Sequence, residues 1–459
     1  MDAFGRITGT TYTLAPDVIL TPSGPVRDHA LVVREGRIAS VEPLAPGVRD
    51  TADGVVALPD VAIVPGFVDT HTHAGQTFGK TLIGGEPSQI WRRIWVPMED
   101  ALTTQRAYVA AKWMFLEALR GGFTTLVNFN RHSHELNEGV HQAAKETGIR
   151  LVSGMVATVE SPSADWVIEE LKKHAEQCAR ETRVTPSLCF GFYAPTMEGL
   201  KLEELSKIGR FCADSSVLFQ LHSNEHFLDT HECIVRFSKR PIELWDQLGI
   251  LGPQMLLHHV TLVSANEIDL IARSGAGVSY NPVASQWKGN AVAPALEYAQ
   301  RKVRMGLGSD NTRLDAFRMM DAAEYCQRIA HGLRVLDFTC GSGWTWVDAA
   351  TRGGADAAGL GKVTGALEAG KAADFLLLDM TAPEVVPSWD FEWELVRAYD
   401  RDQVMLVAID GRVVMRDRRA VGWDCRAFVK EQEGFARQMI ADSGITRAHG
   451  VSSTFRPKV

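Results

Sequence analysis

Two histidines separated by one residue close the segment Val64-Pro65-Gly66-Phe67-Val68-Asp69-Thr70-His71-Thr72-His73. In a strand, residues i and i+2 face the same side, so His71 and His73 direct two imidazoles at one point, as metal ligands must be directed. Three further segments end in side chains of the same chemistry. Phe219-Gln220-Leu221-His222-Ser223-Asn224-Glu225 carries an imidazole with a carboxylate three residues on, Leu256-Leu257-His258-His259 carries two imidazoles, and Gly306-Leu307-Gly308-Ser309-Asp310 ends in an acid. Of the pair in the second of these, His258 is expected to face away from the site, because adjacent strand residues point to opposite faces. A second HxH, His132 and His134, lies several residues past an apolar run in a polar loop and reads as solvated.

These residues need a frame. Apolar strand, polar loop and amphipathic helix alternate through the middle of the chain, with strands expected at Ile63–Val68, Thr124–Asn128, Leu151–Met155, Leu188–Tyr193, Val217–Leu221, Met255–His258, Gly277–Tyr280 and Val303–Leu307. Helices between them include Thr104–Arg120 and Leu202–Cys212. Eight such repeats predict an α/β fold built on a parallel (β/α)8 TIM-like barrel, whose chemistry sits at the C-terminal ends of the strands. His71, His73, His222, His259 and Asp310 all fall at such ends. Short strands flank the barrel: Tyr12–Leu14, Val18–Leu20, Leu31–Val33 and Ile38–Val41 before it, with a turn at Glu35-Gly36, and Asp374–Leu378, Val404–Ile409 and Val413–Met415 after it, with a turn at Asp410-Gly411. Unpaired edges favour their joining. Residues 1–62 and 369–424 are therefore expected to form one discontinuous β-sandwich domain, 63–368 the barrel, and 425–459 a C-terminal helix and tail.

Composition narrows the function. Of 459 residues, 45% are hydrophobic and 23% charged, a globular balance that excludes whole-chain disorder. Lys and Arg total 48 against 56 Asp and Glu, for a formal charge of −8, and even Arg416-Asp417-Arg418-Arg419 holds an acid, so nucleic acid is not an expected partner. Neither a signal peptide nor a membrane span is apparent, and a cytoplasmic protein is expected. The seven cysteines are odd in number and never form CxxC, which argues for free buried thiols. Gly-rich stretches such as Thr351–Asp356 lack the spacing of a nucleotide loop.

The His71/His73 pair after PGFVD, His222-Ser-Asn-Glu225, His259 and Gly-Ser-Asp310, in this order, resemble the amidohydrolase superfamily. Its flanks are similar too: Gly365–Asp374 looks like the re-entry into the sandwich and Val407–Val414 like the closing hairpin. The HxxE arrangement after strand five resembles the branch acting on N-heteroaromatic rings, which includes cytosine, guanine, adenosine-derivative, pterin and s-triazine hydrolases. Asp374–Val414 is most similar to the triazine deaminase and chlorohydrolase group. Ser309 departs from the Thr more usual there but keeps a hydroxyl. The resemblance implies a dimer or larger homo-oligomer.

The same resemblance implies that His71, His73, His222 and Asp310 hold one divalent ion, because the strand-four segment Val184–Thr196 has no lysine to bridge two. Three imidazoles and a carboxylate suit Zn2+ first and Fe2+ nearly as well. Replacing an amino group on an electron-poor ring carbon needs hydroxide at neutral pH, which a bound divalent ion supplies by lowering the pKa of water toward about 7. Asp310 can take the water's proton, Glu225 suits the general acid that protonates the ring nitrogen, and His259 is expected to orient the hydroxide and stabilise the leaving group. The long loop Ala74–Pro97 after strand one offers Gln76 to hydrogen-bond a ring edge and Phe78, Trp91 and Trp95 to stack on a small heterocyclic substrate; Asn311 could face its exocyclic group. The expected reaction is hydrolytic deamination of a triazine, pyrimidine, purine or pterin. Dechlorination or removal of an alkylamino group, cyclic amide hydrolysis, and a metal-free scaffold role are the alternatives.

Overall fold

The computed structural model describes residues 3–44, 54–86, 90–130, 133–158, 161–190, 202–288, 290–339 and 341–449. Eight parallel strands run in order around a nearly closed barrel: Phe67–Thr72, Phe123–Asn128, Arg150–Ala157, Val184–Phe190, Leu218–Ser223, Met255–His259, Gly277–Tyr280 and Arg304–Leu307. Phe67–Thr72, Phe123–Asn128, Met255–His259 and Gly277–Tyr280 are buried throughout and the other four mostly so, as a sheet covered on both faces requires. Beyond the last strand, the Asp310 N–H donates to the His71 carbonyl (2.8 Å) and the Ser309 N–H to Asp69 Oδ1 (2.9 Å), which ties the eighth strand's end to the first. Helix Thr104–Arg120 follows the expected bounds, capped by Thr103 accepting from Arg106 N–H, and buries Ala107, Ala111, Met114, Phe115, Ala118 and Leu119.

Both ends of the chain build a separate nine-stranded sheet. Tyr12–Leu14 and Val18–Leu20 are one strand, Tyr12–Thr21, with a register shift between Pro16 and Val18, since proline lacks the donor a regular ladder needs. Glu35 and Gly36 both have positive φ (49° and 78°), as the expected hairpin demands. One strand position differs from expectation. Ile63–Pro65 belongs to Val55–Pro65, which pairs with Tyr12–Thr21 and with Phe375–Asp379 in the terminal sheet, and the first barrel strand begins at Phe67. Gly66 is the joint: a Cβ there would lie 2.2 Å from Thr124 Oγ1.

A buried cluster locks the sheet to the barrel. Arg150, at the start of the third strand, donates from Nε and Nη2 to Asp374 (2.9 and 3.1 Å) and from Nη2 to Asp410 (2.7 Å). Thr364 Oγ1 and the Asp410 N–H also donate to Asp374. The C-terminal helix spans Cys425–Asp442. Among the described residues, no helix is long and apolar enough to cross a membrane.

Candidate active site and metal centre

The first strand and its first residue beyond bring the HxH pair together as their spacing predicts: His71 and His73 Nε2 are 3.1 Å apart, and Asp310 Oδ1 lies 3.5 and 3.3 Å from them. Nitrogens each about 2.0–2.1 Å from one tetrahedral ion stand about 3.4 Å apart, so this spacing fits a shared cation. His71, His73 and Asp310 form one group of possible ligand atoms lying within 4.8 Å of one another, and His71, His222 and His259 a second. The two groups share His71. His259 is thus as close to His71 and His222 as a ligand would be. Burial, reinforced by the neighbouring imidazoles, holds His71 and His222 well below the usual histidine pKa, so both are the neutral rings that a metal requires. The donor set fits one divalent ion of the zinc or ferrous kind.

Gly308 makes this convergence possible, because a Cβ there would fall 2.2 Å from Asn281 Oδ1 and 2.8 Å from His71 Cβ. Asp69 is fully buried behind the pair. Its Oδ1 accepts from the His71 N–H (3.1 Å) and Ser309 N–H, and burial pushes its carboxyl up to about 7.

His258 does not face away. Its Cα pairs with that of His222, and its ring stacks on His71 at 3.9 Å between centroids, with Nε2 3.1 Å from Gln220 Oε1. Strand parity fails here because His259 and Val260 both have positive φ (69° and 45°). The left-handed turn brings His259 round to the same interior as its neighbour. Asn281 Nδ2 donates to His259 Nδ1 (3.1 Å), and Ser285 Oγ lies 3.2 Å from the same nitrogen. Ser279 Oγ, itself 2.7 Å from Thr70 Oγ1, donates to Asn281 Oδ1 and fixes the amide's orientation. With Nδ1 accepting, the proton of the neutral ring sits on Nε2, 3.6 Å from Glu225 Oε1. Burial takes His259 down to about 4.

Glu225 is 1% exposed. Its Oε1 accepts from Asn290 Nδ2 (3.1 Å) and Lys288 Nζ (3.3 Å), while Oε2 is buried without a protein partner. Burial raises this carboxyl, but His259, Lys288 and His226 outweigh it and bring it down to about 2. Asp310 is likewise held well below the usual range: burial opposes ionisation, and Lys288, His73 and His259 overcome it.

The loop residues are placed unevenly. Asn311 donates from Nδ2 to the His73 carbonyl (2.6 Å), which brings it to the site. Gln76 is buried and donates to Glu99 Oε1 (2.8 Å). Phe78 sits edge-on against Trp113 at 5.2 Å. Trp95 is buried with Ile83, Ile90, Ile94 and Met98 in a satellite core, against which Trp91, Ile440 and Ile445 pack. These three aromatics therefore join the loop to its surroundings, to helix Thr104–Arg120 for Phe78 and to the C-terminal segment for the tryptophans. His134 opens helix His134–Thr147, with Nε2 2.9 Å from Glu170, and His132 lies outside the described residues, as do 191–193 at the expected end of strand four and the rest of its lysine-free segment.

Asn281, Ser285, Lys288 and Asn290 were not singled out in the sequence. The signal was the position of these four polar residues just past the C-terminal end of the seventh strand, the same place that marked the other site segments.

The sequence model of the Amidohydrolase family matches residues 62–414. A 5-methylthioadenosine/S-adenosylhomocysteine deaminase of Syntrophobacter fumaroxidans is 28% identical over 90% of this chain and 93% of its own. A 5'-deoxyadenosine deaminase of Methanosarcina mazei is 26% identical over 94% and 96%. Among solved structures, an adenosine deaminase from Xanthomonas campestris with bound zinc superposes with TM-score 0.84 at 23% identity, covering 95% of this chain and 98% of that one. The zinc complex of atrazine chlorohydrolase from Arthrobacter aurescens gives 0.78 at 17%, covering 94% and 100%. At these identities the two structures speak to the fold.

Proposed function

This chain belongs to the amidohydrolase family and is a hydrolase acting on carbon–nitrogen bonds other than peptide bonds; on that footing we propose that it is a metal-dependent deaminase replacing an amino group on an N-heteroaromatic ring with hydroxyl. The observation that carries this reading is the convergence of the imidazoles of His71, His73 and His222 with Asp310, beside a buried carboxylate with one oxygen unengaged. The deaminase names of the curated relatives support it, and adenosine derivatives are the first substrates to try.

His71, His73, His222 and Asp310 would hold the ion. A bound Zn2+ or Fe2+ supplies a hydroxide nucleophile from water at neutral pH. Glu225, ionised at pH 7, takes the water's proton first and then delivers it to the ring nitrogen next to the attacked carbon. This moves the first proton transfer from Asp310 to Glu225, because Asp310 Oδ2 already accepts from Lys288 at 2.5 Å. His259, with Nδ1 held by Asn281 and Ser285, keeps its Nε2 proton and donates a hydrogen bond from it to the developing negative charge. Burial of these groups keeps bulk water from competing.

The test is a panel of adenosine derivatives, other purines, pyrimidines, triazines and pterins offered to protein reconstituted with Zn2+ or Fe2+, with ammonia release, product mass and elemental analysis as readouts. About one ion per chain and an intact, hydroxylated ring are expected, both lost in His71→Ala. Two tightly held ions, or a ring-opened product, would replace this reading with a binuclear or cyclic-amide hydrolase.

A further inference from the structure

Lys288 is a part-buried cation to which the mechanism above gives no proton transfer. It follows the short helix Pro282–Trp287 beyond the seventh strand, and its side chain is only 15% exposed. Its Nζ spans two carboxylates, donating to Asp310 Oδ2 at 2.5 Å and to Glu225 Oε1 at 3.3 Å. Each carboxylate is thereby divided between two jobs. Asp310 turns Oδ1 toward His71 and His73 and Oδ2 toward the ammonium. Glu225 has Oε1 engaged by Lys288 and Asn290, and Oε2 free of protein partners. Without a cation between them, two buried carboxylates would repel and swing apart, and either oxygen of each could turn to the ion or the substrate.

We propose that Lys288 is a positioning residue that grips Asp310 Oδ2 and Glu225 Oε1, reserving Asp310 Oδ1 for the metal and Glu225 Oε2 for the proton carried to the substrate. The inference rests on the proposed deaminase reading. It makes a claim that a plain supporting ion pair does not. An ammonium beside a divalent ion repels that ion and competes with it for Asp310, so removing the ammonium harms turnover without loosening the metal.

The experiment compares zinc-loaded Lys288→Met, Lys288→Arg and Asn290→Ala with the parent. Zinc loss to a chelator is read alongside kcat and KM. For Lys288→Met, zinc is retained as well as in the parent or better, kcat falls about 100-fold, as misplacement by about 1 Å does, and KM stays within about threefold. Lys288→Arg keeps the charge in a different shape and recovers part of kcat. Asn290→Ala, which removes the other Oε1 donor and leaves Asp310 alone, lowers kcat about tenfold with zinc unchanged. Faster zinc loss from Lys288→Met, or a kcat within threefold of the parent, overturns the proposal. Should Lys288→Met not fold, parental kcat in both other variants overturns it. If the parent deaminates nothing on the panel, the deaminase reading fails, and the chelator measurement still decides the claim about the metal.

Discussion

Glu225→Gln isolates the proton shuttle from everything else in the site. With the glutamine carbonyl in the place of Oε1, Asn290 Nδ2 and Lys288 Nζ keep their acceptor, and the amide nitrogen takes the place of the unengaged Oε2. An amide can hydrogen-bond there but cannot receive a proton from water and pass it on. Asp310 cannot substitute, since Oδ1 faces His71 and His73 and Oδ2 faces Lys288. The expected loss is the usual worth of general acid–base catalysis, about 10²–10⁴ in kcat, or about 2.7–5.4 kcal/mol in the barrier. Glu225 belongs to neither group of convergent ligand atoms, so the variant should keep about one ion per chain and bind substrate near the parental KM. Steady-state ammonia release and elemental analysis on the same preparation measure both. Turnover within threefold of the parent would refute the shuttle, and loss of the ion together with activity would make Glu225 a ligand.

The neighbouring histidines should separate by readout. His259→Asn should keep the ion and lose about 10²–10³ in kcat, whereas His258→Asn, which removes the ring stacked on His71, should weaken metal retention about tenfold; elemental analysis after dialysis against chelator tells them apart, and metal loss from His259→Asn would make His259 a ligand. Glu86, in the loop after the first strand, accepts from Arg93 and from the N–H groups of Ala448 and His449; burial raises its carboxyl, and these donors outweigh burial to bring it from 4.5 to about 2. A carboxyl depressed on folding stabilises above its unfolded pKa and ceases to do so as pH falls through the folded one. Glu86→Gln should therefore melt below the parent at pH 7, with the gap closing between pH 4.5 and about 2; a gap unchanged across that range in a series of Tm measurements would remove Glu86 from the argument.

Local periodicity by itself determined most of the frame. The alternation of apolar strand and amphipathic helix located the eight barrel strands to within a few residues, and the rule that barrel chemistry gathers at strand C-termini picked out His71, His73, His222, His259 and Asp310, because burial face and strand end are properties of a short window. The family resemblance rests on those same residues. Three kinds of fact needed the tertiary structure. Ile63–Val68 reads as one apolar strand, and only the partners of Ile63–Pro65, Phe375–Asp379 across more than three hundred residues, assign its first half to the terminal sheet. Parity along a strand cannot anticipate a left-handed residue at its end, so His258 turned out to lie under His71 while His259 came round beside it. Polar residues in the loop after the seventh strand, and aromatics in the loop after the first, carry no period that says which way they turn. Lys288 and Asn290 go to Glu225 because two buried carboxylates need donors there, and Trp95 sits in a satellite core against which Trp91, Ile440 and Ile445 all pack, a grouping set by the whole fold and by no window of sequence.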